Sequence, residues 1–147
     1  MAETIVPMTF DKIGQCVELY INVFNKEPWN ETWTDRDAKE RLTDLMHTPK
    51  FHGYLLYEND ALIGFIAGNS KQSYAGFTFY LAEFCIGTQI QGKGYGSKLL
   101  LYLEGELKKR DISSLYLLTA NGGIAEAFYL KNNYTINENR VVIKKNL

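Results

Sequence analysis

The sequence predicts an α/β domain built around one mixed β-sheet, and three observations carry that expectation. Short apolar runs of strand length alternate with segments whose apolar residues recur at helical spacing. Some of these strands are separated only by turn residues, as antiparallel neighbours are, and others by a helix, as parallel neighbours are. The chain has 147 residues, 46% of them hydrophobic, which suits one domain with a core that needs no metal or crosslink.

Residues 4–10 read as the first strand. Asp11 then reads as the N-cap of a helix that ends near Lys26, with Ile13, Val17, Leu19, Tyr20, Val23 and Phe24 on its apolar face. The connector Glu27-Pro28-Trp29-Asn30-Glu31-Thr32-Trp33 joins a proline breaker to two Trp and two Glu, and Thr34 caps a second helix through Met46. Residues 53–57 and 62–67 are strands around the turn Glu58-Asn59-Asp60-Ala61. A polar segment, 68–76, leads to a long strand over 77–86. A glycine-bearing loop follows, then a helix over 94–110 whose Leu99, Leu100, Leu103 and Leu107 form the apolar face and whose Lys108, Lys109 and Arg110 suit the negative helix end. Residues 115–119 form another strand, 123–131 a short helix, and 134–136 with 140–144 a closing pair around Asn137-Glu138-Asn139. The sum is about seven strands and about four helices in a single domain, 1–147, without repeat, low-complexity segment or linker.

Sixteen Lys and Arg against 17 Asp and Glu give no reason to expect a nucleic-acid partner. Cys16 and Cys85 lie in apolar stretches with no CxxC or Cys/His spacing, and His47 and His52 have no ligand spacing, so buried thiols, structural histidines and no metal are expected. No stretch approaches the ~18 apolar residues of a membrane span, and the N-terminus has no leader pattern; a soluble, cytoplasmic protein without a membrane partner is the reading.

The informative segment is Gln91-Gly92-Lys93-Gly94-Tyr95-Gly96-Ser97, set between an apolar strand and a helix. Three glycines in five residues let backbone approach a ligand and turn several N–H groups the same way, and with the helix dipole they make a site for phosphate oxygens. Residues 87–93 satisfy GxxxxGK, but Gly94 stands where a P-loop needs the Ser or Thr hydroxyl that holds Mg²⁺. GxGxxG fails as well, because the third glycine falls one position early. Gln-x-x-Gly-x-Gly fits.

Residues 81–100, with that motif inside them, closely resemble the acetyl-CoA signature of the GCN5-related N-acetyltransferases (GNAT), and the order of elements along the chain agrees. The later run Ala125-Glu126-Ala127-Phe128-Tyr129-Leu130-Lys131-Asn132-Asn133-Tyr134 resembles the family's Ala-x-x-x-Tyr-x-Lys-x-Gly-Phe segment. The resemblance implies a mostly antiparallel, twisted sheet whose central parallel strands splay to admit the pantetheine arm. It implies that N–H groups from Gln91 through Ser97 bind the pyrophosphate, and that backbone around Ile86 bonds the pantetheine and the thioester carbonyl. Gln91 replaces an Arg common at that position. Asn121 stands one residue away from the family asparagine that reaches the pantetheine, and Asn133 stands where Gly usually ends the helix; Asn is the next-best left-handed cap.

An acceptor amine with a pKa of about 10.4 is almost wholly protonated near pH 7 and must lose that proton to attack. Glu83, three residues before Ile86, matches a position where the family can carry a general base, and Tyr129 matches the family tyrosine that protonates the departing thiolate. On a purely structural reading Glu83 orders its neighbours and Tyr129 is a core tyrosine beside Phe128. The connector residues Glu27, Trp29, Glu31 and Trp33, with Asp35, lie where the family sets acceptor specificity; acids there attract a cation, indoles offer it a face, and the alternative is a hydrophobic plug with a solvated loop. The expected activity is acetyl-CoA-dependent N-acetylation of a small-molecule amine such as an aminoglycoside, a polyamine or an amino-acid derivative. Protein N-terminal or lysine acetylation and a non-catalytic acyl-CoA sensor are the alternatives. By analogy with the family, a homodimer could pair through 140–144.

Overall fold

The computed structural model describes residues 2–147, the side chain of Gln89 excepted. The chain forms two compact units, Met1–Leu117 and Leu118–Leu147. The first holds strands β1 (Glu3–Pro7), β2 (Phe51–Glu58), β3 (Ala61–Ser73), β4 (Gly76–Ile86) and β5 (Ile112–Tyr116), with helices α1 (Ile13–Phe24), α2 (Asp35–Met46) and α3 (Tyr95–Lys109). The sheet runs β1-β2-β3-β4-β5, antiparallel except for the parallel β4–β5 pair. Among the described residues no helix is long and apolar enough to cross a membrane.

Local chemistry explains most boundaries. Thr34 caps α2 as predicted, accepting from the N–H of Asp37 at 3.1 Å. Asn59 (φ 50°) and Asp60 (φ 70°) give the β2–β3 turn its two left-handed residues. Asp11 does not cap α1: it lies inside a 3-10 turn, Phe10–Lys12, where its carboxylate is taken by the Thr9 hydroxyl. The polar segment 68–76 is no loop, because β3 continues to Ser73 and pairs with β4 while Lys71 and Gln72 face solvent. The strand predicted over 115–119 starts earlier, at the buried Ile112, because Asp111 (φ 58°) turns the chain directly after α3.

Five strands stand among the described residues where the sequence predicts about seven. Residues 134–136 and 140–144 enter no ladder, and Val141, Val142 and Ile143 are largely exposed. An apolar run becomes a strand only where a neighbour takes its backbone N–H and C=O groups. The expected opening between the parallel strands is matched in part: β4 and β5 pair from Phe77–Ile112 to Tyr80–Tyr116, and β4 alone continues to Ile86.

The sheet has a helix layer on each face. Cys16, Val17, Tyr20 and Val23 of α1 and Ala38 and Leu42 of α2 pack with Leu55, Phe65, Ala67 and Cys85. On the other face α3 buries Leu99, Leu100 and Leu103 completely, at roughly 1.5–3 kcal/mol of burial each, and Tyr102 meets Tyr54 edge-on at 5.2 Å. A bulge divides β4 between the two faces. Ala67 pairs with Glu83 but Gly68 with Leu81, so Ala82 has no partner. Phe79 and Leu81 therefore point toward the α3 layer, while Glu83 and Cys85 point toward α1 and α2.

The second unit carries α4 (Ile124–Lys131). As predicted, Asn133 (φ 71°) takes the left-handed cap, and the N–H groups of Asn133 and Tyr134 donate to the carbonyls of Leu130 and Tyr129.

Candidate functional site

Two groups of predicted residues gather in the first unit, one made of backbone and one of side chains. The first is the turn between β4 and α3. Gly92 (φ 83°) and Gly94 (φ 87°) are left-handed, and a Cβ built on either meets nothing within 4 Å. Glycine is required there by conformation rather than by crowding, and the space beside the backbone is open. Gly94 is the N-cap of the 15-residue α3 and offers its first turn no side-chain acceptor, which leaves the N–H groups of Tyr95, Gly96 and Ser97 for an anion at the positive end of the helix.

Side chains anchor this turn. Gln91 Nε2 donates to the carbonyl of Ile86 at 2.8 Å, tying the loop back to the end of β4. The Tyr95 hydroxyl donates to Glu58 and Lys98 pairs with Glu3, and those two carboxylates face each other across β1 and β2. The Glu58 bond pushes the Tyr95 phenol up to about 12. Lys93 is exposed. The N–H of Gly87 donates to Ile63 at 2.8 Å. Because alternate residues of an antiparallel strand turn their N–H groups to opposite sides, that of Ile86 faces the β5 side, beyond the last β4–β5 pair.

The second group surrounds Glu83, which is 7% exposed. Arg41 Nε donates to Oε2 at 2.5 Å, and the Tyr20 hydroxyl lies 3.2 Å from Oε1 and 3.4 Å from Oε2. Burial raises the carboxyl above its usual value, and the Arg41 and Tyr20 bonds draw it only part of the way back. Burial, with the Glu83 charge, also raises the Tyr20 phenol. Burial alone carries the Cys16 thiol up to about 12, and burial is the main cause that raises Cys85, as inert core thiols require.

The connector reaches Glu83 through Arg41. The guanidinium lies over the Trp33 ring at 5.5 Å, and the same indole meets Tyr20 edge-on at 5.1 Å and donates through Nε1 to Glu31 at 2.6 Å. Asn25 clamps the Trp33 backbone, accepting from its N–H at 2.7 Å and donating to its carbonyl at 2.9 Å. Trp29 stands against Phe24 at 5.2 Å and stays 38% exposed, and Glu27 is exposed. Trp33, Glu31 and Glu83 are thus joined, whereas Glu27 and Trp29 stay outside the network. Tyr20, Asn25 and Arg41 are the members that sequence reading missed. Tyr20 reads as one more apolar helix position, and Arg41, flanked on α2 by the buried Ala38 and Leu42, is the sole hint that a charge borders the core.

In the second unit, Asn121 is exposed in the turn before α4. Tyr129 is half-buried between the rings of Phe128 (5.3 Å) and Tyr134 (5.6 Å), and burial pushes its phenol up.

Comparison with known proteins adds three kinds of finding. A family model described as the acetyltransferase (GNAT) family matches residues 18–134. No curated protein sequence matches the chain. Among solved structures, a GNAT family acetyltransferase from Staphylococcus aureus is 20% identical, with a TM-score of 0.75 and coverage of 100% of each chain. An aminoglycoside acetyltransferase from an uncultured soil metagenomic sample, in complex with sisomicin, is 17% identical with a TM-score of 0.77, over 99% of this chain and 96% of that one. AAC(6')-Iy, in complex with the bisubstrate analog CoA-S-monomethyl-acetylneamine, is 11% identical with a TM-score of 0.79, over 100% and 99%. At these identities the likeness is one of fold.

Proposed function

The chain belongs to the acetyltransferase (GNAT) family, and from that premise we propose that it transfers the acetyl group of acetyl-CoA to the primary amine of a small molecule, in the class of aminoglycosides, polyamines and amino-acid derivatives. One observation carries the reading: a single strand holds a buried carboxylate, Glu83, and ends in an open glycine cradle at the start of a long helix. Residues 1–147 act as one acetyltransferase domain, a reading supported by the family match, which crosses from one compact unit into the other.

The cradle fits the pyrophosphate of acetyl-CoA, since Gly92 and Gly94 leave space beside backbone donors and no side chain caps α3. The N–H groups from Gln91 to Ser97 would hold it, with Asn121 reaching the pantetheine. When bound, acetyl-CoA supplies an acyl thioester open to attack by a neutral amine. The N–H of Ile86 would donate to the acyl oxygen, where negative charge grows during attack. Glu83 accepts the proton of the ammonium, directly or through water; a carboxyl raised by burial is a better acceptor near neutral pH than a solvated one. Tyr129 supplies a proton to the departing sulfur. Glu27, Trp29, Glu31 and Trp33 receive the acceptor, acids for its charge and indoles for its face. The neighbours solved with sisomicin and with a CoA–acetylneamine conjugate support a cationic small-molecule acceptor. A homodimer through 140–144 belongs to the same proposal, supported by the exposed Val141, Val142 and Ile143, and light scattering checks it.

Incubation with acetyl-CoA and a panel of aminoglycosides, polyamines, amino acids and short peptides, read by free-thiol release against a no-amine control, tests the activity. Amine-dependent release from a small molecule is the expected result. Binding of acetyl-CoA without turnover across the panel counts against it.

A further inference from the structure

Glu83 is gripped from two helices. Arg41 of α2 takes Oε2 through Nε, and Tyr20 of α1 reaches both oxygens. The two partners differ in how they are held. Tyr20 is buried in the core, but the Arg41 side chain is 52% exposed and has the reach to extend into water. It folds back over the Trp33 ring, whose face suits a planar cation and whose own position is fixed by Asn25 and Glu31. A continuous line of contacts therefore runs from the connector to the carboxylate.

We propose that Arg41 is a positioning residue for Glu83, and that Trp33, by seating the guanidinium, makes the acceptor-side connector the element that sets the direction and charge of that carboxylate. The proposal rests on the reading of Glu83 as the base. The titratable groups facing Glu83 are Tyr20 on α1, Arg41 on α2, Glu31 on the connector and Cys85 on its own strand. Arg41 is the cation among these. Moving it away leaves a buried carboxylate without a counter-charge, and such a group takes a proton more readily.

The test is a ¹³C NMR titration of the Glu83 carboxyl in the full chain, the resonance being assigned by its loss in Glu83→Gln. Replacing Arg41 with Gln should raise the midpoint by about one unit or more, as removal of an adjacent opposite charge does. Arg41→Lys should restore part of the shift, and Trp33→Leu, which frees the guanidinium without removing its charge, should give a smaller rise. An unchanged midpoint in folded Arg41→Gln overturns the proposal. Should that variant not fold, an unchanged midpoint in Trp33→Leu does so. The acid limb of kcat/KM for thiol release, with the fastest amine of the panel, separates the two ideas. A limb that persists in Glu83→Gln retires the base itself and the proposal with it. A limb lost in Glu83→Gln but unmoved in Arg41→Gln keeps the base and overturns the role of Arg41 alone.

Discussion

The glycine turn before α3 and Glu83 lie on one stretch of chain, yet the turn and the network around Glu83 are built by opposite means. The turn offers N–H groups, and its glycines matter for the conformations they permit. The network offers side chains, and each member matters for its charge and reach. A backbone site of this kind tolerates many side chains but not a Cβ at a left-handed glycine; a side-chain site tolerates backbone adjustment but not a change of one functional group. Mutations at the two should therefore fail in different observables.

The largest effect is expected from Glu83→Gln, which keeps shape and removes the proton acceptor. Turnover should fall by about 10²–10³-fold, with acetyl-CoA affinity nearly unchanged, in steady-state kinetics at saturating acetyl-CoA. Gly68→Ala probes the frame that presents Glu83. A Cβ there would lie 2.0 Å from the Tyr80 carbonyl and 2.7 Å from the Phe79 ring, and overpacking of this severity should cost about 3 kcal/mol in urea denaturation. If Gly68→Ala is as stable as wild type, the strand yields at the bulge and the close approach of Gly68 to Tyr80 is not required.

Gly94→Val addresses the backbone site. Forcing a β-branched residue to φ 87° costs roughly 1–2 kcal/mol, so the KM for acetyl-CoA should rise about tenfold while kcat at saturation holds. A fall in kcat instead would mean that the two regions are not separable. Tyr95→Phe removes one half-buried anchor of the turn and should raise that KM by about two- to fivefold, in keeping with the modest net worth of a single hydrogen bond.

The smallest effect is on stability against pH. The folded protein holds the Glu83 proton more tightly than the unfolded chain, whose carboxyl titrates near 4.5. The stabilisation linked to that proton is complete below 4.5 and declines as pH rises through the higher folded value. Thermal unfolding of wild type and Glu83→Gln over a pH series should therefore show the wild type losing ground to the variant across that window.

What could be read in advance follows the range of the interactions. The glycine turn, the Thr34 cap, the Asn59-Asp60 turn and the Asn133 cap are set by residues a few positions apart, and all four appear where the sequence places them. Glu83 could be singled out from the chain, but its partners come from 63 and 42 positions away, a separation that periodicity does not encode. Ala82 looks like any small strand residue, and its lack of a partner is decided by β3. The misjudged strands at 134–136 and 140–144 have the right residues, but a ladder partner is a property of the fold, not of the segment.

The bulge at Ala82 also makes β4 a device that counts. Were Ala82 paired in a regular pleat, Phe79, Leu81, Glu83 and Cys85 would share a parity and hence a face, and a carboxylate would point among the leucines of α3. Deleting Ala82 would set Glu83 directly after Leu81, still opposite Ala67 and still on the other face, so the extra residue is what lets this spacing serve two surroundings. In this strand, whether an acid stands beside a cation or inside hydrocarbon is settled by whether the ladder passes over one residue or pairs them all.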